Sequence, residues 1–298
     1  MTVLAHGATG DIAGWHAHPD VWVLIAILAG GYWLLVRRVG PRVVGSGTSP
    51  VTRAQVVCFG LGVAAIWVAS DWPVHDVAER SMYSVHMVQH LLISMVATPL
   101  LLLGTPGWLA RWILRPPGPL FRVVRSLSRF LPALVVFNVV LVLTHWPALV
   151  NESLASHPLH LAVHVLIFLA SLVVWMPVLS PLPEIPRLAP PTRAAFLFLQ
   201  SIVPTIPASF LTFGATPLYR FYVGLPHLWG LSTLEDQQTA GLIMKLGAGM
   251  LLWMLIAVIF FRWAADEDRR HQPQRIRQEL ERELEQLRAE SAEQGMSR

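Results

Sequence analysis

Seven stretches of this chain, roughly residues 21–36, 54–72, 84–104, 131–150, 158–179, 194–214 and 239–262, are continuous apolar runs close to the length that a bilayer demands of a helix. In lipid a backbone must satisfy its own hydrogen bonds, which leaves helices and closed barrels as spanning structures. These runs lack the alternation of barrel strands, so each is read as a transmembrane helix. The expected fold class is all-α, a polytopic membrane bundle of seven transmembrane helices. Pro99, Pro204 and Pro207 lie inside runs and predict kinks or local breaks.

Composition excludes an ordinary soluble domain: 54% of residues are hydrophobic, 13% are charged, and the mean hydropathy is +0.53. The net charge of +4 comes from arginines placed between apolar runs, which makes them topology signals rather than a nucleic-acid footprint. No nucleic-acid partner is expected; the lipid bilayer is. The one cysteine, Cys58, sits in an apolar run without an internal disulfide partner. No positive region precedes the first run, so no cleaved signal peptide is read.

Arg37, Arg38, Arg42 and Arg53 flank the first connection, Arg111, Arg115, Arg122, Arg125 and Arg129 fill the third, and Arg187 and Arg193 sit in the fifth. Arg262, Arg269 and Arg270 follow the last run, whereas the alternate connections hold only Arg80 and Arg220. By the positive-inside rule the N-terminus is outside and the C-terminus cytoplasmic, in a plasma membrane. Three parts follow: an extracytoplasmic segment 1–20, a transmembrane domain 21–263 and a charged cytoplasmic tail 264–298. In the tail Ile276, Leu280, Leu284 and Leu287 recur at helical spacing. A short amphipathic helix is expected there, either solvated or docking a partner.

Histidines are the polar residues that recur within the runs. His86 and His90 are four apart, so a helix shows both imidazoles on one face, with Tyr83 a turn earlier. His145 nears the outer end of the fourth run, with Asn138 two turns below; His157, His160 and His164 form one stripe on the fifth. Under the predicted topology all six lie toward the outer face. Imidazoles turned to lipid lose hydrogen bonds, so they are expected to face the bundle interior.

Neutral imidazole binds copper, zinc and iron, and a thioether from Met82, Met87 or Met244 would favour Cu(I). Copper is the first choice, with its oxidation state open. No carboxylate cage suggests magnesium or calcium, and no cysteine pair suggests structural zinc or an iron–sulfur cluster. The plainer alternative is a scaffold whose histidines bond to one another and to water. Met87, adjacent to His86, turns off the stripe toward core packing. His16 and His18 are either exposed residues or a capture pair. On the seventh run Asp236 either caps its helix or serves the site. Lys245, the only lysine, lies about 13 Å further along, where it should face a wet cavity or pair with a carboxylate.

In order along the chain stand His86-Met87-Val88-Gln89-His90, Pro99 to Pro106, Asn138 with His145-Trp146-Pro147, His160 and His164 before Trp175-Met176-Pro177, and Leu234-Glu235-Asp236-Gln237-Gln238-Thr239-Ala240-Gly241-Leu242-Ile243-Met244. This ordered set resembles the bacterial CtaG-type cytochrome c oxidase assembly factors. The resemblance implies maturation of a haem–copper oxidase by delivery or insertion of copper, with oxidase subunits or other assembly factors as partners. It also implies likeness to membrane domains of copper-resistance proteins. Lys245 departs from the pattern, which has an aromatic such as tryptophan there.

The metal candidates are His86, His90, His145, His157, His160 and His164; Tyr83, Asn138, Asp236, Gln237, Met244 and Lys245 complete the candidate site. With no nucleophile beside a base, no paired carboxylates and no nucleotide site, an enzyme is not expected. Rival readings are copper transport or resistance, which the bare inner halves of the third to fifth runs disfavour, and a b-type haem protein.

Overall fold

The computed structural model of the chain describes residues 14–45 and 47–296, and no strand occurs among them. Residues 1–13, most of the predicted extracytoplasmic segment, lie outside the described residues, as do the side chains of Ile276 and Leu287. The chain begins with α1 (Pro19–Arg38), α2 (Gly40–Val44), α3 (Arg53–Ser70) and α4 (Val74–Arg80). Next α5 (Tyr83–Leu91) passes through a π-helical stretch, Leu92–Ala97, into α6 (Thr98–Gly104). Then follow α7 (Gly107–Leu114), α8 (Pro119–Leu127), α9 (Phe130–Thr144), α10 (Pro147–Ala155) and α11 (His157–Leu179). The last part holds α12 (Pro190–Ile202), α13 (Thr205–Phe213), α14 (Thr233–Leu242), a second π-helical stretch at Ile243–Gly247, and α15 (Ala248–Met296).

Among the described residues six spans are long and apolar enough to cross a membrane, and a seventh is reached if α8 and α9, bent by 86°, count as one. The fourth run is where the structure departs from the expected boundaries. Its helix stops at Thr144 because Pro147 has no N–H to offer Leu143; the Trp146 N–H closes the turn on that carbonyl at 3.1 Å instead. Pro147 then opens α10. The expected break at Pro204 is present, between α12 and α13.

The tail differs too. Rather than a separate short helix, α15 runs unbroken from the last span to Met296. Good helix formers dominate after Ala264, and Arg277 with Glu281, 3.1 Å apart, adds a one-turn ion pair. Leu280 and Leu284 of the apolar repeat are exposed.

Burial separates the central spans from the peripheral ones. In Tyr83–Gly104, 61% of the apolar window is buried and in His157–Leu179 50%, against 6% in Pro19–Arg38. The two spans at the centre are those that carry paired histidines. α3 packs closely on α6 because Gly104 has no side chain: a Cβ there would sit 2.4 Å from the Phe59 nitrogen. A Gly104→Ala substitution is therefore expected to lower stability by about 1–3 kcal/mol, the usual cost of overpacking, read as a lower melting temperature in detergent.

Alternate connections meet at opposite ends of the bundle. Arg111 pairs with Glu184 at 2.6 Å, joining the third and fifth. That hydrogen bond holds the Glu184 carboxyl below the ordinary glutamate range, so its small contribution is present at neutral pH and lost as pH falls through the lowered value. At the other end His18 meets Asp76 at 2.9 Å, and the Ser81 hydroxyl donates to the Pro226 carbonyl at 2.7 Å.

Candidate metal centre

At the bundle centre α5 and α11 turn their histidines toward each other. The rings of His86 and His90 are 4.3 Å apart on α5, and those of His160 and His164 are 4.4 Å apart on α11. Across the gap His90 lies 5.0 Å from His164, and His86 lies 5.5 Å from His160 and 5.8 Å from His164. One ring nitrogen from each of His86, His90 and His164 falls within 4.8 Å of the other two. Imidazole ligands bind transition metals at about 2.0–2.1 Å, so a small closing motion brings all three onto one ion.

Their hydrogen bonding supports the same use. His86 and His90 are 5% and 8% exposed, yet His86 Nδ1, both nitrogens of His90 and His164 Nε2 are buried without a hydrogen-bond partner. Orphaned polar atoms in an apolar interior cost free energy that a bound metal would offset. The donor set thus fits a transition-metal ion.

His145 approaches from the break after α9, with its ring 5.8 Å from that of His90. Its Nδ1 lies 2.8 Å from the Leu141 carbonyl, which only an N–H can satisfy, so Nε2 keeps a free lone pair. Beneath His90 and His145 a cavity of about 40 Å³ is bordered by Met87, Met95 and Met244. Met87 is buried in the core as its sequence position suggests, and it also borders this cavity.

The site is braced from outside its own helices. Met82, the N-cap position of α5, offers no capping side chain; the carboxylate of Asp236 instead accepts the Tyr83 and Ser84 N–H groups at 2.6 and 3.1 Å. Asp236 therefore caps α5, whereas its own helix, α14, is capped by a Ser232–Glu235 capping box. Tyr83 stacks on His86 at 5.8 Å and packs against Tyr219 at 4.5 Å. The Tyr219 hydroxyl, pushed up to about 12 by burial, donates to the His145 carbonyl at 3.0 Å. After His90 the helix widens into its π stretch; Ser94 donates to the His90 carbonyl at 2.6 Å, and Trp175 donates to the Ser94 carbonyl at 2.8 Å. Such widened turns recur at functional sites.

Other expected residues stand apart. His157 is exposed and borders a different cavity, shared with His160 and His164. Asn138 donates to Gln200 at 3.0 Å in a buried amide pair. Gln237 accepts the Leu218 N–H at 2.6 Å and so braces the loop before α14. Lys245, for which the sequence suggested a wet cavity or a carboxylate partner, lies 5.8 Å over the Phe213 ring in a cation–π contact. The sequence reading gave no role to Glu79, Asp76, Gln89 or Met95. Only the four-residue spacing of His75 and Glu79 marks α4, and Gln89 is hidden by its place between valine and histidine.

Fold and site together define a polytopic helical membrane protein with a buried imidazole cluster between its two central spans. The family model for the cytochrome c oxidase caa3 assembly factor (Caa3_CtaG) matches residues 30–266, and the chain belongs to that family. The chain is also similar to uncharacterized proteins Mb0105 of Mycobacterium bovis and MT0111 of Mycobacterium tuberculosis, each 28% identical over 269 residues. Those alignments cover 83% of this chain and 38% of the relatives, so the chain spans well under half of their length. No solved structure matches it.

Proposed function

We propose that this protein is a multi-pass plasma-membrane assembly factor that holds copper between α5 and α11 and delivers it to a cytochrome c oxidase subunit. The observation that carries this reading is the convergence of His86, His90 and His164, their nitrogens within 4.8 Å of one another and largely unpartnered. Family membership supplies the recipient. Thioethers beside His90 and His145 favour copper over zinc, since soft ligands select copper among the metals that imidazole binds.

A few neutral imidazoles suit delivery better than a closed thiolate cage, because the recipient's stronger site can draw the ion away. His145 and His160 flank the triad as further ligands, and His157 stands at the rim of the approach. The arginine pattern supports an extracytoplasmic N-terminus, a cytoplasmic tail from residue 264 and seven spans with α8–α9 as the fourth. The role is that of a metal carrier rather than an enzyme.

Two measurements test this. The purified protein is expected to retain copper without a Soret band, and cells lacking it are expected to make a copper-deficient oxidase that the restored chain repairs. A Soret band, or full oxidase copper in its absence, would overturn the reading.

A further inference from the structure

Above the triad a second group of donors leads toward the solvent end of the bundle. Asp76 Oδ2 lies 2.9 Å from His18 Nε2, and Asp76 Oδ1 lies 3.5 Å from His16 Nδ1. The His18 and His75 rings are 5.0 Å apart, edge to face. Glu79 Oε1, one helical turn from His75, lies 3.4 Å from His75 Nε2 and 3.0 Å from His160 Nε2. Among the histidines of this group side-chain exposure falls from 37% at His16 through 16% at His18 and His75 to 7% at His160, while Glu79 is 32% exposed and Asp76 2%.

Two features are poorly explained by simple ion pairing. His160 Nε2 is close to Glu79 but buried without an aligned hydrogen bond, as is its Nδ1. Atoms bound to one ion at about 2.0–2.1 Å, at angles between square and tetrahedral, stand about 2.9–3.4 Å apart, which matches the two separations at Glu79 Oε1, whereas the His75 and His160 rings are 6.3 Å apart and must close on that oxygen to share an ion. Gln89, fully buried, has its Nε2 3.1 Å from His75 Nδ1 and leaves its Oε1 without a partner. Turning that amide over would let Oε1 accept from an Nδ1–H, which directs the lone pair of His75 Nε2 at Glu79.

We propose that His75, Glu79 and His160 form a second, outer metal site that accepts divalent copper and passes it to the His86/His90/His164 triad. Mixed carboxylate and imidazole donors suit Cu(II) better than Cu(I). His160 of the outer group adjoins the triad: its ring is 4.4 Å from His164 and 5.5 Å from His86, so an ion can exchange ligands around it without leaving the bundle. Access is through a cavity of about 400 Å³ bordered by Asp20, His75, Gln89, His157, His160 and His164. The transfer direction rests on the reading of the triad as a copper site; the existence of the outer site does not.

The test is a Cu(II) titration of the untagged, metal-free, full-length protein in detergent, followed by metal analysis and electron paramagnetic resonance. Glu79→Gln is expected to bind one equivalent fewer than the wild type and to lose one spectral component, with His75→Ala doing the same. His86→Ala/His90→Ala is expected to lose a different component and keep the outer one. If Glu79→Gln and His75→Ala bind as much as the wild type with unchanged spectra, the outer site is overturned while the triad stands. If only the double variant matches the wild type, the triad does not hold Cu(II) and the outer site stands; wild-type protein that binds no Cu(II) overturns the outer site.

Discussion

A His86→Ala/His90→Ala protein is expected to fold, and to lose the copper held between α5 and α11. Two of the three converging donors disappear, and His164 keeps only the flanking His160 ring, 4.4 Å away, outside the group whose nitrogens converge. Outer-shell partners of metal ligands already matter by about 10–100-fold, so losing two direct ligands should weaken binding by at least about 10⁴-fold, or about 5.5 kcal/mol. The copper-free fold should change little, because the deleted rings carry nitrogens that the apolar interior leaves unsatisfied. In thermal unfolding, copper therefore raises the melting temperature of the wild type and the variant loses the part of that rise owed to the triad. An unchanged copper-induced rise, with unchanged metal content, would remove the triad from the site.

Asp236→Ala is the second substitution with a large expected effect, and it acts on the scaffold. It strips the Tyr83 and Ser84 N–H groups of the side-chain acceptor they share at the buried start of α5. Each orphaned buried donor costs about 1–3 kcal/mol, so a loss of about 3–5 kcal/mol is expected, read as a lower melting temperature in detergent. Asp236→Asn keeps one acceptor oxygen and should cost less than half as much. Because Tyr83 stacks on His86, the alanine variant should also weaken copper binding. A melting temperature within a degree of the wild type would show that α5 does not depend on this cap.

Much of the fold was legible because a bilayer imposes a length and a polarity on every span, and continuous apolar runs record both. The facing of His86, His90, His160 and His164 was legible for a similar reason: spacings of four place rings on one side of a helix, and only the interior can satisfy them. Other features leave no such trace. α4 has seven polar-rich residues between spans, with no periodic apolar stripe to mark it. Asp236 looks like a cap for its own helix, and only the packing of α14 on α5 redirects it. A π stretch adds a residue to a turn without altering the apolar pattern, so the widening after His90 could not be foreseen.

One feature of α15 has a mechanical outcome. From Arg262 to Met296 the same helix continues for a further 34 residues, which at 1.5 Å each is a rod of about 50 Å. In the other direction this helix leads back to the π-helical stretch at Ile243–Gly247, whose Met244 borders the same cavity as His90, so the rod and the cavity wall belong to one continuous element.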